Sequence, residues 1–440
     1  MKVCIVGGGG GANNAANVTR SLDKDAQIDI FTTRDEIGYI PCEIPFVLRG
    51  VVPSWEDSFA FREKFYQQRN ITVHLNTEVT DILRKEKRLV AGGNTYDYDK
   101  VILDLGGSPT IPPIPGLDGW NELVLSTDLR YARTLEQAIS RYTSAAIVGA
   151  GMIGLEIAEV FLEKSYSTIY SLDILENALG LLLDKEMAEV LEQRIKERGV
   201  ELILPARIES IATREGKKIV SLPDRELEVD FVLFATGSRP NVKLARKAGI
   251  EVGETGAVAV NEYLQTSDPD IYAIGDCMEN SDAVRGSKIL YQTATNTARS
   301  GKIAATNLTL GNVLLYEGTT MTFITEIFGY QVGAVGFTES YARENGFDVC
   351  TSITKTATRR RLFGGKPIHI KLIADRSSHT LIGGQVVSEE SVAGQIDKLS
   401  VAIAEKIPVE RLSLIDTCYS PPVNTAYAPL TMALDNIRWA

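Results

Sequence analysis

Two glycine clusters carry the first readable chemistry in this sequence. Gly7, Gly9 and Ala12 follow the apolar run from Lys2 to Val6, and Gly149, Gly151 and Gly154 follow the run from Ala145 to Val148. In a GxGxxG turn the first glycine makes the bend and the second lets the backbone approach a diphosphate. The third, for which alanine is a variant, lets helix and strand pack closely. The helix that opens behind the turn adds unpaired N–H groups and the positive end of its dipole. One such cluster is a weak signal, but two, each set between a strand and a helix, point to two dinucleotides on one chain. An acidic residue about 20 positions beyond the turn reads the adenosine ribose. Asp173 stands there in the second unit. Its carboxylate would accept ribose hydroxyls and repel a 2′-phosphate, which predicts NADH rather than NADPH. In the first unit the place is held by Thr32, a hydroxyl without charge.

The elements that position these residues follow from the apolar pattern. Residues 2–6 and 28–31 read as strands on either side of a glycine turn and helix, a βαβ unit. The pattern recurs with a strand at 145–148, a helix over 155–164 and a strand over 168–172. Between the units, Ser108 to Gly116 holds four prolines in nine residues, which reads as a linker. A mirror of its start appears at Ala235-Thr236-Gly237-Ser238-Arg239-Pro240, and a third strand leads to Gly275-Asp276. Beyond residue 312, alternation around 323–335 and 368–373 predicts antiparallel strands with helices. The expected fold is α/β, with two Rossmann-like dinucleotide-binding domains and a C-terminal α+β domain. Their boundaries are expected at 1–112 with 237–311, at 113–236 and at 312–440.

Composition narrows the function further. The 440 residues carry a net charge of −11, which argues against nucleic acid as a main partner. No run of 18 or more apolar residues appears, so no membrane span is expected, and the N-terminus lacks the order of a signal peptide. The five cysteines (4, 42, 277, 350 and 418) show no CxxC spacing, and the three histidines are scattered. Neither a disulfide framework nor a zinc site is expected, and the location expected is the cytoplasm.

Taken together, the two glycine turns, the Ala235–Pro240 segment and Gly275-Asp276 resemble the two-dinucleotide-domain flavoprotein disulfide reductases over nearly the whole chain. The resemblance implies FAD on the first turn and NAD(H) on the second. It implies that Asp276 binds the ribityl chain of FAD and that Glu156 sits near nicotinamide and flavin. Glutathione-reductase-like members carry two cysteines five positions apart in the first domain, whereas here Cys42 is followed at that distance by Val47. This is similar to the single-cysteine group of CoA-disulfide reductases, NADH oxidases and peroxidases, and NADH-dependent CoA-persulfide or polysulfide reductases. Asp416-Thr417-Cys418-Tyr419-Ser420-Pro421-Pro422 resembles that group's dimerisation-domain Tyr-Ala-Pro-Pro motif, with Ser420 in place of Ala. A homodimer, with tetramers as a further possibility, is implied.

Two departures sort the group. Oxidases and peroxidases usually carry a histidine in the first glycine turn, where this chain has Gly10. CoA-disulfide reductases often carry a second tyrosine where this chain reads Leu362-Phe363-Gly364-Gly365. A persulfide releases hydrosulfide, a better leaving group than a CoA thiolate, and needs less acid help. The reading that results is NADH-dependent reduction of CoA persulfide, polysulfide or CoA disulfide. Cys42 is the expected nucleophile, its thiol lowered by helix N-termini after its loop. Tyr419, reaching across the dimer, would donate a proton or hydrogen bond to the leaving sulfur, and the other four cysteines read as structural. For the phosphates of CoA the candidates are Arg20, Arg62, Lys64 and Arg361. The span to Ala440 leaves no room for an appended sulfurtransferase domain, so a separate sulfur donor is expected. An NADH oxidase and a flavin-bearing redox sensor or assembly protein are the alternatives.

Overall fold

The computed structural model describes residues 1–439. Its first sheet is parallel throughout, in the order Ile271–Ala273, Lys100–Leu103, Lys2–Val6, Gln27–Phe31, Ile71–His74. The second is also parallel, in the order Glu201–Ile203, Thr168–Leu172, Ser144–Val148, Phe231–Phe234, Glu122–Val124. Val3, Ile5, Ile28, Ile30, Ala146 and Ile147 are all but inaccessible to solvent. A parallel sheet covered on both faces demands such continuous apolar strands. In each sheet the central strand runs into the glycine turn, at the point where strand order reverses and ligands of open α/β sheets bind. The helices behind the turns are Gly10–Leu22 and Met152–Glu163. The second starts three residues before the apolar spacing predicts, because Gly151 itself occupies the cap position.

The proline-rich linker and its mirror lie against each other. Gly107–Pro109 pairs antiparallel with Ser238–Pro240, so the two crossings between the first and second sheets run side by side. The third sheet is antiparallel, in the order Phe323–Ile327, Tyr330–Gly336, Thr380–Ser388, Pro367–Asp375, Val349–Ala357. Helices Ala393–Ala404 and Pro429–Asp435 pack on it. Phe323, Ile327 and Phe328 join the core around Phe161 and Leu155 of the second unit. Lys371, 1% exposed, adds a polar fastening. Its ammonium lies 3.1 Å from Asp184, 2.5 Å from Glu186 and 2.8 Å from Glu339. Among the described residues no helix is long and apolar enough to cross a membrane.

Candidate active site

The three sheets frame a cavity of about 2100 Å³, roughly twice the largest ordinary single-ligand pocket of ~1,000 Å³. Gly7, Gly9, Gly149 and Gly151 open into it, and Thr32, Cys42, Glu156, Asp173 and Asp276 stand on its wall. Ala12, Gly154 and Gly275 are buried just behind that wall.

Both turns are built for a close-lying ligand. Gly7 has φ +121°, and a Cβ there would stand 1.9 Å from the Asp104 carbonyl oxygen. Gly149 has φ +115°, and its Cβ would stand 2.4 Å from the Ala235 carbonyl oxygen. At Gly154 a Cβ would lie 1.9 Å from the Gly149 carbonyl oxygen, so helix and strand touch there as the third glycine requires. Neither helix has a side-chain cap at Gly9 or Gly151, and a Cβ on Gly10 or Gly151 would meet nothing within 4 Å. Two helix starts whose glycines leave open space before them are suited to diphosphates, as FAD and a pyridine nucleotide carry.

The positions read from sequence as ribose contacts differ. Asp173 accepts the Ala150 N–H at 2.8 Å and the Leu175 N–H at 3.0 Å, and so holds the second turn while lining the cavity. Thr32 is nearly buried under Gly8, and its hydroxyl accepts the Arg34 N–H at 3.2 Å. Asp276 lies in the short turn Gly275–Cys277. Its carboxylate accepts the Thr297 hydroxyl at 3.4 Å, and burial raises its pKa.

Cys42 sits in the single turn Pro41–Glu43, which leads into helix Ile44–Arg49. Pro41 and Pro45 favour these first turns, and Gly50, at φ 86°, ends the helix. The helix is tied to its neighbour Met152–Glu163 by Arg49, which lies 2.6 Å from Glu163 and 3.6 Å from Glu159. The sulfur is open to the cavity, while protein surrounds its other sides. Burial pushes the thiol pKa up, the Glu156 carboxylate adds to the rise, and the backbone N–H of the turn offsets part of it. The lowered thiol expected from helix N-termini is therefore not what the protein alone provides. Glu156 accepts the Thr325 hydroxyl at 2.6 Å, and burial raises its carboxyl as well. Thr325 comes from the third sheet, 169 residues away in the chain.

The basic residues read as CoA contacts lie apart from the cavity wall. Arg20 spends its guanidinium on five backbone carbonyls, those of Asp23, Lys24, Ala26, Arg69 and Asn70, at 2.6–3.3 Å. It clamps the end of its helix to the following loops and has no donor left for a phosphate. Arg62 donates to the Glu56 carbonyl at 2.6 Å and lies over the Phe59 ring. Lys64 and Arg361 are exposed. Phe61, next to Arg62 in the chain, lines the cavity. Tyr419 is 56% exposed on the third unit, outside the cavity of its own chain. Three wall residues were not singled out from sequence: Arg34, Thr325 and Asp104. Of these only Asp104 had a signal, an acid where the mirror segment has Ala235.

Comparison with known proteins agrees with this architecture. A family model described as pyridine nucleotide-disulphide oxidoreductase matches residues 1–301, and one for the dimerisation domain of that family matches residues 323–429. The chain is 33% identical to an NADH oxidase of Methanocaldococcus jannaschii, over 99% of this chain and 98% of that protein. It is 30% identical to a CoA-dependent NAD(P)H sulfur oxidoreductase of Pyrococcus abyssi, over 98% and 96%. A solved NAD-dependent persulfide reductase from A. fulgidus superposes with a TM-score of 0.94 at 30% identity. That match covers 99% of this chain and 82% of that one. The chain thus belongs to the pyridine nucleotide-disulphide oxidoreductases, flavoproteins that work with FAD and NAD(P)H.

Proposed function

We propose that this flavoprotein oxidises NADH and reduces CoA persulfide, polysulfide or CoA disulfide through Cys42. The observation that carries the reading is one cavity in which a single open thiol, Glu156 and both glycine turns meet, with no imidazole at Gly10. Residues 1–112 with 237–311 would hold FAD, 113–236 NADH, and 312–440 would pair two copies. Gly7, Gly9 and Ala12 with Asp276 seat FAD. Gly149, Gly151, Gly154 and Asp173 seat NADH, with Ile174 beside Asp173 offering no charge to a 2′-phosphate.

Bound FAD would relay two electrons from the nicotinamide to sulfur. The chain's own residues do the rest. Glu156, fixed by Thr325, orients the nicotinamide end, and its negative charge holds Cys42 as a thiol that gives up its proton only as it attacks, the proton ending on the leaving sulfur. The Cys42 sulfur attacks a persulfide R–S–SH and the S–S bond breaks. Attack on the outer sulfur leaves a Cys42 persulfide and frees CoA. Attack on the inner sulfur leaves a Cys42–CoA disulfide and frees hydrosulfide. In both cases two electrons from NADH cleave the new S–S bond, restore the thiolate and release the second product. Tyr419 of a second copy would meet the leaving sulfur with its hydroxyl. Phe61 on the cavity wall, with Arg62 and Lys64 close to it in the chain, would supply an apolar contact for a pantetheine and charge for its phosphates.

The resemblance to an NADH oxidase supports oxygen as the competing acceptor. Steady-state NADH oxidation with CoA persulfide under argon, set against air alone, separates the two. Persulfide turnover well above the oxygen rate is expected. The reverse order would overturn the proposal in favour of the oxidase.

A further inference from the structure

The two halves of the chain repeat one unit, and they differ at one buried station. The strand Phe231–Phe234 of the second half leads into Ala235, whose carbonyl faces Gly149. The strand Lys100–Leu103 of the first half leads into Asp104, whose carbonyl faces Gly7. Asp104 is 7% exposed. Its Oδ2 accepts the Ala12 N–H, in the first turn of helix Gly10–Leu22, at 2.8 Å. A Cβ on Gly9 would stand 3.0 Å from Oδ2, and Cβ atoms on Gly11 and Gly275 would stand 2.9 Å and 2.8 Å from Oδ1. The carboxyl group fills the space that three glycines leave between the diphosphate turn and the Gly275-Asp276 turn.

A diphosphate seated on the same turn brings negative charge to the same helix end. The groups around Asp104 do little to neutralise it. From the Gly275–Cys277 turn come Asp276, also acidic, and Cys277, whose thiol burial pushes up to about 12. From the loop after Gln27–Phe31 comes the cation Arg34, which favours the ionised form. Helix Ala294–Leu310 presents Thr297 and the glycine turn presents only backbone N–H groups. Among the described residues no Lys or Arg makes an ion pair with Asp104. The second half holds its dinucleotide at a like turn with alanine at this station, so the fold does not need the acid.

We propose that Asp104 makes FAD retention proton-linked: its carboxyl is protonated while the diphosphate is seated and ionised when FAD leaves. The direction follows from the burial. With the protein's own groups alone, desolvation raises Asp104 to about 6, with the Ala12 and Gly9 N–H groups and Arg34 opposing. Above that pH the group is ionised, and FAD binding must take up one proton. The dissociation constant of FAD then rises by up to about tenfold per pH unit. Below it the group is already neutral and the dependence vanishes. This inference concerns flavin binding alone and stands or falls independently of the sulfur acceptor.

The test is FAD release from full-length holoenzyme diluted at pH 5.5 to 8.5, read by the fluorescence of free flavin. Wild type is expected to lose FAD about tenfold more readily per unit above pH ~6.5. Asp104→Ala, which copies the second half, and Asp104→Asn, which keeps the shape, are expected to hold FAD with no such slope and more tightly at pH 8.5. A flat wild-type profile would overturn the proposal. So would an unchanged slope in the variants, which would point to Asp276, or loss of FAD from folded variants at every pH. If one variant fails to fold, the other and the wild-type profile still decide.

Discussion

Replacing Asp173 with alanine separates the coenzyme from the chemistry. Its two oxygens hold the Ala150 and Leu175 N–H groups at 2.8 and 3.0 Å and still face the cavity. With NADH bound, the lone pairs turned to the cavity would take the adenosine ribose hydroxyls. A hydrogen bond to a charged group is worth about 1.5–3 kcal/mol, so losing one weakens NADH by about 10- to 150-fold at 1.36 kcal/mol per decade. NADPH should move the other way. Removing the carboxylate frees two N–H donors and lifts its repulsion of a 2′-phosphate. The assay is the rate at which flavin absorbance bleaches on anaerobic mixing with each coenzyme over a concentration series. The apparent dissociation constant should rise for NADH and fall for NADPH, with the limiting rate for NADH little altered. An NADH constant within twofold of wild type would refute the ribose role and leave Asp173 as a turn-holding residue only.

Three other substitutions probe the remaining parts. Gly154→Ala places a Cβ 1.9 Å from the Gly149 carbonyl oxygen. Overpacking of this kind costs about 1–3 kcal/mol, so NADH-driven bleaching should weaken severely while bound FAD, measured by its absorbance, remains. Gly10→His meets open space and should melt within about 0.5 kcal/mol of wild type. Its NADH-dependent oxygen uptake then shows whether an imidazole there suffices for oxidase behaviour, with a rise expected. Arg20→Ala strands carbonyls that five donors now satisfy. With three of the five bonds exposed to water, it should cost about 1–3 kcal/mol in a denaturant melt and leave the KM for a CoA-linked acceptor unchanged, where a phosphate-binding role would raise it.

The fold and half of the site were legible because they rest on short-range patterns. An apolar strand running into Gly7 or Gly149 has few other uses, and Asp173 lies at a fixed distance beyond its turn. Cys42 was singled out by its place after the second strand, and it stands on the cavity wall. Its electrostatics were not legible, because they depend first on burial and then on Glu156, brought beside it on the helix Met152–Glu163. Thr325 escaped for the same reason, since only the third sheet's packing puts its hydroxyl on Glu156. Arg20 reads in sequence as a free cation, and only the fold shows that two loops close their carbonyls around it. Tyr419 lies outside its own chain's cavity, so its role needs a second copy. Asp104 was overlooked because an acid at a strand end is usually a solvated one, and its burial appears only when the Gly7–Ala12 turn and the Gly275-Asp276 turn close over it.

The most direct test of the thiol relay is anaerobic NADH oxidation with CoA persulfide by wild type and Cys42→Ser. NADH should bleach the flavin in both proteins, since neither glycine turn is touched. Persulfide turnover should be fast in wild type and collapse in the variant. Equal turnover in both would contradict the relay and mean that the flavin reduces its acceptor without Cys42.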